Sequence, residues 1–251
     1  MDMPTATEKL IARKDGAIGW VIFNNPEKRN AMSLEMSEAT AATMESYAKD
    51  PEVRVVILRG QGDKAFISGA DISQFKERRS NAEQVKAAEA ISERTNKAIR
   101  ECPKPVIAMI RGYCMGGGLG TAVVCDLRIA SDDSRFGVPA AKLGVGYRFN
   151  GIRRLSEVVG PQFTAEIFYT GRQFSAQEAL QMGLINRMLP AAELEKYVLL
   201  RRDARRQRAA HDRRSETFPD RAAQGSRRPR PRSMPEDGGR LLRQRGLRRG
   251  A

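Results

Sequence analysis

The sequence predicts an α/β fold built from repeated strand–strand–helix units, on three observations. Apolar runs of strand length, Val55-Val56-Ile57-Leu58 and Pro105-Val106-Ile107-Ala108-Met109-Ile110, alternate with helical periodicity over 35–47 and 81–100. Two small-residue turns follow strand signals, Ile67-Ser68-Gly69-Ala70-Asp71 and Gly112-Tyr113-Cys114-Met115-Gly116-Gly117-Gly118. Periodicity then stops after about Val198, so the fold is expected to occupy residues 1–198.

In chain order, 8–14 and 17–23 read as strands joined at Asp15-Gly16, a hairpin. Ser33 fits a helix N-cap with Glu35 to Tyr47 helical behind it. Val53 to Arg59 reads as a buried strand, and Lys64 to Ser68 leads into the first turn. A helix over Asn81–Arg100 follows, then a strand over 105–110, a helix over 116–124 and a strand at Leu127–Ile129. From Pro139 to Met182 short helices alternating with turns are expected, and Leu184–Leu189 is the last strand.

At 251 residues and 41% apolar, the chain is one large domain or two small ones, long enough for a full core. No run of 18 apolar residues exists, which argues against a membrane span. The first eight residues lack a basic region followed by an apolar stretch, so a cytoplasmic location is expected. Cys102, Cys114 and Cys125 show no metal-ligand spacing, and no metal is expected. Cys114 and Cys125 read as small buried residues of a reducing compartment.

A net charge of +14 would ordinarily point to nucleic acid or an anionic surface. Residues 199–251, however, hold 17 Arg against 6 acidic residues, while the body holds 27 basic and 24 acidic residues. The basicity belongs to the tail, whose Arg-, Pro-, Gly- and Ala-rich composition reads as disordered. Its only aromatic residue is Phe218, so stacking recognition of single-stranded nucleic acid is poorly served.

The two turns carry the chemistry. Glycines at a strand-to-helix junction let the backbone approach a ligand and leave N–H groups unblocked. One N–H from each turn could converge on a single carbonyl oxygen, the geometry of an oxyanion hole.

The segments Asn24-Asn25-Pro26-Glu27-Lys28-Arg29-Asn30-Ala31-Met32, Phe66-Ile67-Ser68-Gly69-Ala70-Asp71-Ile72 and Lys104-Pro105-Val106-Ile107-Ala108 leading into the glycine run are joined by three more. These are Cys125-Asp126-Leu127-Arg128-Ile129-Ala130, Phe136-Gly137-Val138-Pro139 and Thr170-Gly171-Arg172-Gln173-Phe174-Ser175-Ala176. In order and spacing together they resemble the crotonase superfamily, the enoyl-CoA hydratase/isomerase family, over roughly residues 8–198. The resemblance implies a crotonase-like spiral of ββα units and an acyl-CoA substrate, coenzyme A being part of the substrate and no separate cofactor needed. It also implies a homo-trimer or hexamer, a partnership weakened where the C-terminal trimerisation helices are replaced by the Arg-rich tail.

By motif position, the N–H groups of Ala70 and Gly117 would hold the thioester oxygen while an enolate forms. Lys28, Arg29, Ala31, Ser68, Asp71, Ile72, Met115 and Gly118 match stretches lining the coenzyme A site. Asp126 matches as well, although a buried Asp at a strand start reads as a structural acceptor. The glutamates that hydratases of the family use fall at Gly120 and Ala140, neither of which can transfer a proton. Ordinary hydration is therefore not expected.

Leu143-Gly144-Val145-Gly146-Tyr147-Arg148-Phe149-Asn150-Gly151-Ile152 resembles the corresponding stretch of methylmalonyl-CoA decarboxylases, crotonase relatives with a tyrosine at that place. Those relatives carry a histidine where Ala70 stands. The resemblance implies Tyr147 as a third catalytic residue, acting in decarboxylation of a malonyl-type thioester. Isomerisation is the alternative, with Glu166 or Glu157 as base. A catalytically silent acyl-CoA-binding protein and nucleic-acid binding through the Arg-rich tail also compete. Reading Arg232–Gly250 one base forward permits a segment resembling the family's C-terminal helices, so residues 199–251 read as a frameshift product in a GC-rich gene or as a native arm.

Overall fold

In a computed structural model of the chain, the described residues are 2–3, 5–71, 82–144, 146–147 and 149–200. They lie within the first of two units, 1–209. Ile72, the start of the expected helix at Asn81 and the tail beyond Leu200 lie outside the described residues.

The expected hairpin forms. Strands β2 (Leu10–Asp15) and β3 (Ile18–Phe23) pair antiparallel across Asp15-Gly16, and Gly16 takes φ +53°. A short β1 (Asp2–Met3) joins β2, and a 3-10 turn spans Pro26–Lys28. Helix α1 (Leu34–Lys49) starts where Ser33 predicts: the Ser33 hydroxyl accepts the Met36 N–H at 3.1 Å. Then come β4 (Val55–Gly60), β5 (Ala65–Ile67), α2 (Ala82–Arg100), β6 (Val106–Ile110), β7 (Tyr113–Met115), α3 (Gly117–Val123), β8 (Leu127–Ser131) and β9 (Arg135–Gly137). The chain continues through α4 (Ala140–Leu143), α5 (Phe149–Thr170), β10 (Phe174–Ser175), α6 (Ala176–Gln181), β11 (Arg187–Leu189) and α7 (Ala191–Leu200).

Two sheets result, an α/β arrangement in keeping with what the resemblance implies. The larger has order β1-β2-β3-β4-β6-β8-β11, antiparallel at the β1–β3 edge and parallel beyond it. The smaller has order β10-β9-β7-β5, with β9, β7 and β5 parallel and β10 antiparallel to β9. Along β3 the side chains alternate between two cores. Val21 and Phe23 join the one packed under α1, α3 and the small sheet; Ile18, Trp20 and Ile22 join the other, which Leu194 and Val198 of α7 cover. This covering on both faces explains why β3, β4 and β6 read as unbroken apolar runs.

The short helices expected over 139–182 are present as α4, the two halves of α5, and α6. Gly160, at φ +79° and ψ 165°, breaks α5 into those halves, and Pro161 begins the second at a position where a proline N–H is not needed. Two expectations need correction. The last strand is only Arg187–Leu189, and α7 follows it. Strands β7, β9 and β10 were not foreseen. On α4 and α5, Leu143, Phe149, Phe163 and Tyr169 are exposed. No described helix is long and apolar enough to cross a membrane.

Candidate functional site

The first turn is stitched to one short segment of chain. Ser68 N–H donates to the Arg29 carbonyl (3.1 Å), Met32 N–H to the Gly69 carbonyl (2.8 Å) and Asp71 N–H to the Met32 carbonyl (3.0 Å). This is a parallel bridge between Met32 and Ala70. In such a bridge the bonds to Met32 come from the neighbours of Ala70, so its own N–H points to the opposite edge. That edge is the second turn. A Cβ on Gly69 would lie 3.8 Å from the Met115 carbonyl oxygen, and one on Gly116 would lie 3.9 Å from the Gly69 Cα.

In the second turn Gly116 has φ +52° and ψ −116°, a conformation that excludes side chains. Its N–H is spent on the Gly137 carbonyl at 2.8 Å. Gly117 is the first residue of α3, so its N–H has no acceptor within the helix. Gly118 presses on β5: a Cβ there would lie 2.3 Å from the Ile67 carbonyl oxygen. The glycine at 118 is what lets the two turns sit side by side.

Ala70, Gly117 and Tyr147 meet on one cavity of about 650 Å³, together with Met32, Gly116 and Gly120. A Cβ at Gly120 would meet nothing within 4 Å, so the space beside this residue is open. Ala140 is buried in the apolar core at 7% exposure. Tyr147 packs edge-on against Phe168, ring centroids 5.0 Å apart, and its hydroxyl lies 3.9 Å from where a Cβ on Gly116 would be. Burial pushes its pKa up to about 12, so the hydroxyl stays protonated and can donate.

Of the two bases expected for isomerisation, one lines the cavity and the other does not. Glu157 lines the cavity, but Arg153 holds it at 3.0 Å and Arg154 at 3.1 Å. Arg154 first and Arg153 next hold its carboxyl below the usual range. Glu166 binds Arg172 at 2.8 Å and is not among the lining residues. Sequence reasoning missed Glu93 of α2, which does line the cavity. No motif marks it, because only the packing of α2 brings it there.

The residues matched to the coenzyme A site cluster around 28–32. Lys28 Nζ donates to both carboxylate oxygens of Asp71, at 3.3 and 3.0 Å. Arg29 and Asn30 adopt left-handed φ of +52° and +55°, and the Arg29 guanidinium stacks 5.3 Å from the Tyr113 ring. Buried Asn30 pins the segment: its Oδ1 accepts the Asn25 N–H, and its Nδ2 donates to the Gln61 and Ala65 carbonyls. The Ala31 carbonyl accepts from the Asn25 amide, and the Ser68 hydroxyl donates to the Lys28 carbonyl. Met115 and Gly118 are buried beneath the turn. Asp126 is the structural acceptor expected, taking the Val106 N–H at 2.8 Å. Among the described residues no cluster of three His, Cys, Asp or Glu could hold a metal ion.

A sequence profile described as enoyl-CoA hydratase/isomerase matches residues 13–216. The chain belongs to that family. It is an enoyl-CoA hydratase/isomerase family enzyme acting on acyl-CoA. It is 35% identical over 185 residues to the short-chain-enoyl-CoA hydratase of Clostridium acetobutylicum, covering 74% of this chain and 70% of that protein. It is also 35% identical over 195 residues to the crotonyl-CoA hydratase of Syntrophomonas wolfei, covering 75% and 72%. Among solved structures it resembles an enoyl-CoA hydratase/carnithine racemase from Magnetospirillum magneticum. The TM-score is 0.78 at 34% identity, covering 87% of this chain and 85% of that one.

Proposed function

We propose that this family member binds a malonyl-type acyl-CoA, holds its thioester oxygen with Ala70 N–H and Gly117 N–H, and decarboxylates it to the enolate. The observation that carries the reading is the Tyr147 hydroxyl on the same cavity as the two donors, where Gly120 supplies no acid. In the reaction the bond from the α-carbon to its carboxylate breaks and CO2 leaves. The electron pair stays on the α-carbon, charge develops on the thioester oxygen, and the enolate carbon then takes a proton from water. The hole lowers that barrier without a base, and a donated hydrogen bond from Tyr147 orients the departing carboxylate. Hydration, the activity named for the two bacterial relatives, would need carboxylates at Gly120 and Ala140.

The test is turnover of methylmalonyl-CoA, ethylmalonyl-CoA and crotonyl-CoA, followed by product chromatography. The malonyl types should lose CO2, crotonyl-CoA should stay unhydrated, and Tyr147→Phe should slow decarboxylation by roughly 10- to 100-fold, the worth of a hydrogen bond to a charged group. No turnover of either malonyl type, with Tyr147→Phe neutral, retires the proposal. Binding without any turnover would instead mark a silent acyl-CoA-binding protein.

A further inference from the structure

The cavity shared by Ala70, Gly117 and Tyr147 runs on past them between three helices. Its floor is one face of α3, where Gly117, Gly120, Thr121 and Val124 recur at helical spacing. One wall is the stripe Ser92, Asn96 and Arg100 of α2, and the other is Asn150 and Arg154 of α5. The helix ends fix the direction of this channel. Tyr147, just ahead of α5, sets its hydroxyl beside Gly116 at the start of α3. Arg154 Nε donates to the Val123 carbonyl at 3.2 Å, at the end of α3. There too Asp126 accepts the N–H of Val106, the first residue of β6, and α2 closes shortly before it at Arg100. The two proposed donors therefore stand at one end, and Arg100 and Arg154 at the other, ~9 Å away along α3 at 1.5 Å per residue.

The walls suit a polar occupant. Among the described residues the Asn96 and Asn150 amides have no hydrogen-bond partner, and an alkyl chain laid along them would strip their water and replace none of it. The far end carries an excess of positive charge. Arg100, Arg153 and Arg154 line it, whereas Arg153 and Arg154 share Glu157, at 3.0 and 3.1 Å, and Arg100 has Glu101 at 3.5 Å. Glu93, the other acid of the lining, lies ~10 Å before Arg100 along α2. Arg154 is pinned through Nε and Nη1, which leaves Nη2 without a partner among the described residues.

We infer that the acyl group taken by this site ends in a carboxylate, received by Arg154 and Arg100 at the far end of the cavity. The substrate class is an ω-carboxyacyl-CoA, and Arg154 is its specificity-determining residue. An extended chain with bonds of ~1.5 Å advances ~1.3 Å per carbon, so about seven bonds cover the span, the reach of a suberoyl chain. This terminal carboxylate is distinct from the one that the proposed reaction releases at the α-carbon. The inference rests on the reading that sets the thioester at Ala70 and Gly117, and it deepens that reading.

The test is isothermal titration calorimetry of the full-length chain with suberoyl-CoA, its ω-methyl ester and octanoyl-CoA. Suberoyl-CoA should bind roughly 10- to 100-fold tighter than either neutral ligand, the worth of a hydrogen bond between charged groups. Arg154→Gln should erase that preference. Should this variant fail to fold, Arg100→Gln, on a different helix, must narrow the preference instead. Octanoyl-CoA or the methyl ester binding as tightly as suberoyl-CoA overturns the inference, and so does a preference that folded Arg154→Gln leaves whole. If none of the three binds, the acyl-CoA reading itself fails, an outcome distinct from either of these.

Discussion

Gly118→Ala should damage both halves of the proposed oxyanion hole at once. The added Cβ would lie 2.3 Å from the Ile67 carbonyl oxygen and 2.7 Å from the Ile67 Cβ, whereas tight real contacts begin at 3.0 Å. Neither neighbour is the far end of a flexible side chain, so α3 and β5 must separate by roughly 1 Å in a close-packed interior. Overpacking of this kind costs about 1–3 kcal/mol, offset by up to ~1 kcal/mol of helix propensity. The melting temperature should fall by a few degrees, at ~2–4 °C per kcal/mol for a domain of this size. The larger effect is functional. Ile67 leads into Ala70 and Gly118 follows Gly117, so the two N–H groups move apart, and ~1 Å of misplacement is worth ~100-fold in rate. The internal control is Gly117→Ala, whose Cβ would meet nothing within 4 Å and which should melt like wild type. Calorimetric melting reads the first consequence, and the red shift of bound cinnamoyl-CoA, whose conjugated thioester absorbs further to the red when its carbonyl is polarised, reads the second. A Gly118→Ala protein equal to Gly117→Ala in melting and in the shift refutes the reasoning.

Asn30→Ala should be among the most destabilising single changes in the 24–32 segment. It removes three hydrogen bonds from a residue 1% exposed and places alanine at φ +55°. The expected loss is ~3 kcal/mol or more, read as the denaturation midpoint in urea; a change below ~1 kcal/mol would contradict the account. Glu178 offers a pH test. Its carboxyl is held down to about 2, chiefly by the Ser175 backbone N–H and then by Arg172 and the Ser175 hydroxyl. A depressed carboxyl contributes stability above its unfolded pKa of ~4.3, and that contribution fades as pH falls toward the folded value. Wild type should therefore melt above Glu178→Gln at pH 6, with the gap closing between about pH 5 and 2; a gap that stays constant over that range refutes the assignment.

Much of the larger sheet was legible because its central strands are buried on both faces and long enough to show it. The runs at 18–23, 55–60 and 106–110 each carry five or six residues of strand. Apart from β5, the smaller sheet was not legible, since β7 and β9 have three residues each and β10 two. Such lengths hold less than two periods of alternation, and pairing across the chain defines them. Gly160 and Pro161 read as breakers, and they do divide α5 into two short halves. At the site, Ala70, Gly117 and Tyr147 were found by resemblance, and the structure brings them to one cavity. The pairing of Lys28 with Asp71 and the approach of Glu93 were invisible, because each joins segments distant in sequence and neither has a signature of spacing.

The Met32–Ala70 bridge has an evolutionary consequence. The group that position 70 would offer under the proposed function is an amide that nineteen of the twenty genetically encoded residues would present equally well, proline alone lacking it. Mutation there can reshape what surrounds the bound oxygen while the donor itself persists. New chemistries can thus be sampled at this site without first surrendering the hold on the thioester, and a survey of side-chain types at position 70 would underestimate how constant its function is.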